Sequence, residues 1–194
     1  MKLINKTKLS FLTREVRARY GILLMVFLMC LVLIACDNDD DNNCQGIECL
    51  PPATQTGAGT FGCLVNGEPF VDNSGSFNCF YQFVNGEYFF GIQAEGSVGK
   101  LRAIAIGSLQ KEIEPNTPIP LNLRVDNEFY ALLDFNILQQ EGSTNSSNDG
   151  FITFTQLTTN PNVVSAIFEF TIEDPVTNEI YEISEGRFDA QFTQ

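Results

Sequence analysis

Cysteines, carboxylates and hydroxyls must carry any chemistry this 194-residue chain performs, because it contains no histidine. Imidazole general-base mechanisms and histidine-bearing zinc sites are therefore excluded. Two carboxylates, one protonated and one ionised, can hydrolyse a glycosidic bond. Glu128, Asp134, Glu169, Glu173, Glu182 and Asp189 are the candidates, and no spacing singles out a pair. Most read as solvated strand faces; Asp134 stands apart because it interrupts Ala131-Leu132-Leu133 and Phe135. No serine sits in a nucleophile elbow and no glycine-rich phosphate loop is present. Asp37, Asp39, Asp41, Asn43 and Glu48 match an EF-hand loop in spacing, but Asn42 replaces the turn glycine and Pro and Gly preclude a following helix. The residues thus point to no metal, no cofactor and no enzyme but to a binding or interaction module, with a small carboxylate hydrolase and a purely structural envelope component as the competing readings.

The thiol of Cys36 has the most distinctive setting. Residues 1–20 carry Lys2, Lys6, Lys8, Arg14, Arg17 and Arg19 against Glu15, and residues 21–35 are uncharged and largely apolar. As a helix that apolar run would reach roughly 22 Å, short of the ~30 Å hydrocarbon thickness. A cationic region, a short apolar run and a small residue before the cut describe a secretory signal, its charge retained on the cytoplasmic side. Leu33-Ile34-Ala35-Cys36 resembles the bacterial lipobox. The resemblance implies a diacylglyceryl group on the Cys36 thiol, cleavage before Cys36 and acylation of the new amine. Several acyl chains, at ~0.8 kcal/mol per buried methylene, hold a protein on a membrane far more firmly than one. An uncleaved signal anchor is the alternative.

Cleavage there leaves five basic residues against twenty-three acids, a formal charge of −18. That imbalance argues against nucleic acid, whose phosphates need cations, and against anionic head groups. Membrane attachment must then run through the acyl chains. Cys44, Cys49, Cys63 and Cys79 are an even number in an oxidising compartment. Cys44–Cys49 and Cys63–Cys79 are the local pairings, the second worth ~3 kcal/mol in the chain-entropy model. Two buried free thiols are the alternative to that second bond. A four-thiolate zinc site lacks its two short knuckles.

Three segments follow: a lipoprotein signal peptide over 1–35, a lipidated, acidic, flexible tether over 36–59, and one β-domain over 60–194. The tether has few apolar residues and carries Pro51-Pro52 and scattered glycines. Beyond it, period-two alternation and turn residues recur without helical periodicity. Asn66-Gly67 and Asn85-Gly86 predict type I′ hairpins, the second joining residues 77–84 to 88–94. Asp126-Asn127 predicts a turn between strands 121–125 and 129–137. Residues 110–120, with three prolines, read as a loop or edge segment, and 140–150 as a mobile loop. Strands are expected at 100–106, 151–157, 163–172, 179–184 and 187–192. Ala166, Phe168, Phe170 and Ile172 share one face of theirs, as an antiparallel sheet packed on one side requires. About ten such strands predict an all-β antiparallel β-sandwich, with a lipocalin-like up-and-down barrel as the alternative.

Phe77, Phe80, Tyr81, Phe83, Tyr88, Phe89 and Phe90 crowd the second hairpin on both parities. Two-sided core packing explains such crowding. The functional reading makes Phe80, Tyr81, Tyr88 and Phe89 a ligand face for a glycan, an apolar small molecule or a protein.

Residues 50–57 (Leu-Pro-Pro-Ala-Thr-Gln-Thr-Gly), then Thr60-Phe61-Gly62-Cys63-Leu64-Val65-Asn66-Gly67, resemble the opening of a Bacteroidota lipoprotein family, the domain of unknown function 6252 family. Ile167-Phe168-Glu169-Phe170-Thr171, Asp174-Pro175 and Ile183-Ser184-Glu185-Gly186-Arg187-Phe188-Asp189 resemble its ending. The resemblance implies a secreted, lipidated β-domain and brings no activity. In that phylum, acids just after the lipidated cysteine resemble a surface-export signal. Asp37 to Asp41 therefore imply outer-membrane display on the cell surface, with periplasm-facing attachment as the alternative.

Overall fold

In the two predicted hairpins, both turn residues take positive φ: 52° and 84° at Asn66-Gly67, 54° and 93° at Asn85-Gly86. This is the type I′ geometry that Asn-Gly adopts at little steric cost. The first turn joins β1 (Thr60–Val65) to β2 (Glu68–Val71), and the second joins β3 (Asn78–Val84) to β4 (Glu87–Val98). The computed structural model describes residues 44–75, 77–135, 140–147 and 150–194. Cys36, the leader and Asp37 to Asn43 lie outside the described residues.

The remaining strands are β5 (Leu101–Leu109), β6 (Pro118–Pro120), β7 (Glu128–Asp134), β8 (Glu141–Ser143), β9 (Gly150–Thr159), β10 (Asn162–Glu173) and β11 (Ile180–Gln191). Six form one sheet in the order β2-β1-β11-β10-β9-β6 and five the other, β3-β4-β5-β7-β8. The ladders are antiparallel, and the two sheets pack face to face as a sandwich that does not close into a barrel. Phe61, Phe154, Phe168 and Phe188 from the larger sheet meet Phe90, Ile104, Ile106 and Phe129 from the smaller in one core. No helix among the described residues is long and apolar enough to cross a membrane.

The proline-rich stretch is as expected, contributing β6 as an edge segment where a missing N–H is tolerated. Several expected boundaries shift. The 140–150 segment contains the short strand β8 and buries Thr144, whose hydroxyl donates to the Asn122 carbonyl at 2.6 Å. The strand expected over 121–125 reduces to a single bridge at Leu121, leaving Leu123 and Val125 exposed. The two strands expected at the end are one, β11, bulged where Glu185 takes φ 53°. A side chain at Gly186 would strike the Phe168 ring, so glycine there lets the bulge pass close to its neighbour.

The largest correction concerns residues 44–59. Rather than a free tether, they are a strap packed across the outside of the six-stranded sheet, and they belong to the same compact unit as the sandwich. Few apolar residues are needed, because the strap is held by polar bonds to one carboxylate. Asp189 accepts from Thr54 Oγ1 at 2.6 Å and from Thr56, through its amide at 2.9 Å and Oγ1 at 3.2 Å. It also accepts from the amides of Gly57 and Ala58 at 2.7 and 3.1 Å, and from Ser165 Oγ at 2.7 Å. Arg187 Nε donates to the Pro51 carbonyl at 2.7 Å, and Leu50 is buried. A disulfide joins Cys44 to Cys49 around the 3-10 turn Gly46–Cys49. Asp189, read from alternation as a solvated acid, is only 1 % exposed.

Candidate functional site

Strand alternation splits the four predicted ligand-face residues into two pairs. The register sets Tyr81 opposite Phe90, Phe83 opposite Tyr88, Gln82 opposite Phe89 and Phe80 opposite Gly91. Side chains directly opposite share a face. Tyr81 and Tyr88 therefore lie on the inner side of the smaller sheet, and Phe80 and Phe89 on its outer side. The single four-residue platform does not form.

The inner pair opens onto a cleft. The β3–β4 hairpin runs to the end of the sandwich, so its last inward-facing residues stand at the mouth between the layers. Tyr81 and Tyr88 stack at 5.1 Å and 12°, and Phe83 leans on Tyr88 at 4.7 Å and 48°. Phe192 meets Tyr81 edge-on at 5.8 Å. Together with Leu157 of β9 and Glu112, these three hairpin rings line a cleft of about 570 Å³. Phe83 is 63 % exposed, whereas Phe90, deeper along the same face, is 1 % exposed. The chain end secures this corner: Tyr81 donates its amide to the Thr193 carbonyl at 3.0 Å, and Thr193 donates its own to Cys79 at 3.1 Å.

The Tyr81 hydroxyl accepts the Ile113 amide at 3.3 Å. Burial raises the Tyr81 pKa, the Ile113 bond lowers it, and the negative charge of Glu112 raises it; the outcome is about 12, so the phenol stays neutral. A neutral donor, stacked rings and one carboxylate suit reversible binding of an apolar molecule with a polar end.

On the outer side, Phe80, Gly91, Gly107 and Tyr130 form one row across four strands. The Phe80 ring lies against Gly91 and the Tyr130 ring against Gly107, each occupying the space a Cβ would take. Arg124 covers Tyr130 at 5.3 Å and pairs with Glu141 at 3.8 Å. The rings at either end of this hollow are therefore engaged within the protein.

Of the carboxylate candidates, Glu169 and Glu182 line one open hollow of about 220 Å³, away from the aromatic cleft, and the others lie apart. Glu128 accepts from Asn122 at 3.0 Å and faces Lys111 at 3.9 Å. Asp134 is exposed and stands opposite Glu141, itself held by Arg124. Glu169, Glu173 and Glu182 are exposed, and Asp189 is committed to the strap. Among the described residues, no three His, Cys, Asp or Glu side chains converge to hold a metal.

Cys63 and Cys79 are free and buried, so the second local disulfide is not formed. They belong to opposite layers, Cys63 to β1 and Cys79 to β3. Burial raises both thiols well above their ordinary value, Cys79 to about 12. Both are expected to resist alkylation in the native domain and to react once it is unfolded, checked by mass spectrometry of the labelled peptides. Labelling under native conditions would show that this core opens.

Fold and site define an antiparallel β-sandwich with an aromatic cleft at one end. No family model matches the chain, and neither a curated protein nor a solved structure matches it.

Proposed function

We propose that this protein is a lipid-anchored binding module of the bacterial cell envelope, held at the outer membrane by acyl chains on Cys36 and displayed on the cell surface. The cleft framed by Tyr81, Phe83 and Tyr88 carries the binding reading: the exposed Phe83 and half-buried Tyr88 rings, backed by the buried Tyr81, border a cavity large enough for a small molecule. Lipid anchoring rests on the cationic leader and the lipobox-like Leu33-Ile34-Ala35-Cys36. A binding role is favoured over hydrolysis because the carboxylates do not gather in that cleft.

The two stretches that carry the lipoprotein-family resemblance, around residues 50–57 and 183–189, lie far apart in the chain yet bond to each other through Arg187 and Asp189.

Labelled palmitate is expected to enter the wild-type protein and to be lost completely in Cys36→Ala. Protease added to intact cells is expected to remove the wild-type domain. An intact leader, or an unmodified amine and thiol at Cys36, would sink the anchoring; protection from protease would place the domain on the periplasmic side.

A further inference from the structure

We infer that the cleft takes an organic cation, an ammonium group carried on an apolar body; this deepens the proposed binding role and rests on it. Its walls are the rings of Tyr81, Phe83 and Tyr88 with Val84 and Leu157, which suit alkyl or aryl substituents. Glu112 is the one charged side chain among the lining residues. The cation adjacent in sequence, Lys111, is directed elsewhere, its Nζ 3.9 Å from Glu128.

Two fields in this cleft favour positive charge. Tyr81 and Tyr88 stack on each other, but the Phe83 ring is 63 % exposed and presents an electron-rich face, which attracts an ammonium group most strongly when the site is partly desolvated. The Glu112 carboxylate adds a unit charge and remains exposed, so it can meet a ligand without first breaking an internal salt bridge. The surplus of acids over bases in the chain adds a long-range attraction in the same sense. An anion would meet Glu112 and the ring faces with nothing in the lining to neutralise it. A neutral ligand would gain the apolar contact and forgo both fields.

Choline and its uncharged carbon isostere, 3,3-dimethylbutan-1-ol, share shape and hydroxyl and differ in the charge alone. Titrated into the full protein and followed by NMR shifts of the Tyr81, Phe83 and Tyr88 rings, choline is expected to bind about tenfold more tightly at low salt. The preference should shrink as ionic strength rises. Glu112→Gln, a change at an exposed position, should keep the fold by circular dichroism and cut the preference to about twofold or less. Tyr88→Ala should weaken both ligands.

Equal binding of the two probes, or an undiminished preference in Glu112→Gln, would overturn the cation inference while leaving the cleft as a binding site. Absence of ring shifts with either probe would overturn both.

Discussion

Asp189→Ala is expected to lower the unfolding free energy by about 4 kcal/mol, measured by urea denaturation, and to release the strap. The carboxylate accepts six hydrogen bonds, five from Thr54, Thr56, Gly57 and Ala58 and one from Ser165. Each charge-assisted bond contributes roughly 1.5–3 kcal/mol in isolation, but they share one acceptor and are not additive. Removing it leaves the buried Ser165 hydroxyl and the part-buried amides and hydroxyls of the strap facing no acceptor. Asp189→Asn should be nearly as damaging, because Oδ1 and Oδ2 each face at least two donors and one must become an NH₂. Limited proteolysis should then cut within residues 45–59, which the wild type protects. A loss below about 1 kcal/mol would mean that the strap is incidental to stability.

The same residue governs the acid limb. Burial raises the Asp189 pKa, but the bonds from Thr54, Thr56, Ser165 and Gly57 outweigh it and hold the carboxyl well below its ordinary range. A depressed native value means that the unfolded chain binds the proton first. The stabilisation is therefore fully present above the unfolded value of about 4 and fades as pH falls below it towards the native value. Asp174 acts in the same direction, lowered chiefly by the Val176 amide. Wild type should lose stability between about pH 5 and pH 2, and Asp189→Asn should show a flatter slope there. Parallel slopes would contradict the assignment.

Phe90→Ala is expected to cost about 4 kcal/mol, close to the effect at Asp189 but without local release. Phe90, an aromatic of the β3–β4 hairpin, reaches across the sandwich. It meets Phe154 edge-on at 5.2 Å, Phe188 at 6.1 Å and, within its own sheet, Phe129 at 6.4 Å. Truncation removes the transfer energy of a whole ring and opens a cavity between layers too rigid to close on it. Phe90→Leu, which refills much of that volume, should cost about 1.5 kcal/mol. Phe83→Ala, at the exposed mouth of the cleft, should stay within about 0.5 kcal/mol. Similar losses at positions 83 and 90 would erase the distinction between cleft and core drawn from their exposure.

That distinction was only half legible beforehand. Alternation puts Tyr81 and Phe83 on one face of the hairpin and Phe80 on the other, yet the expected ligand face joins Phe80 and Phe89 to Tyr81 and Tyr88 across that division. Alternation does not show where the opposing layer ends. Phe83 and Phe90 share a face, yet one lies over Phe154 and Phe188 while the other extends past them. Cys63 and Cys79 pose the same problem, since matching parity says that both point inward and nothing about the layer each belongs to.

The amino-acid sequence by itself determined the local elements: Asn-Gly turns at 66–67 and 85–86, the greasy face of Ala166, Phe168, Phe170 and Ile172, and an all-β sandwich of antiparallel strands. These follow from steric limits on φ and from a period of two, both of which act between near neighbours. Only the tertiary structure decided what covers a polar face. Residues 50–58 look like a linker because they carry little to bury, and Asp189 looks solvated because it alternates with Phe188 and Ala190. Their pairing spans more than 130 residues of chain, and its energy lies in hydrogen bonds to a single desolvated carboxylate, which no local pattern encodes.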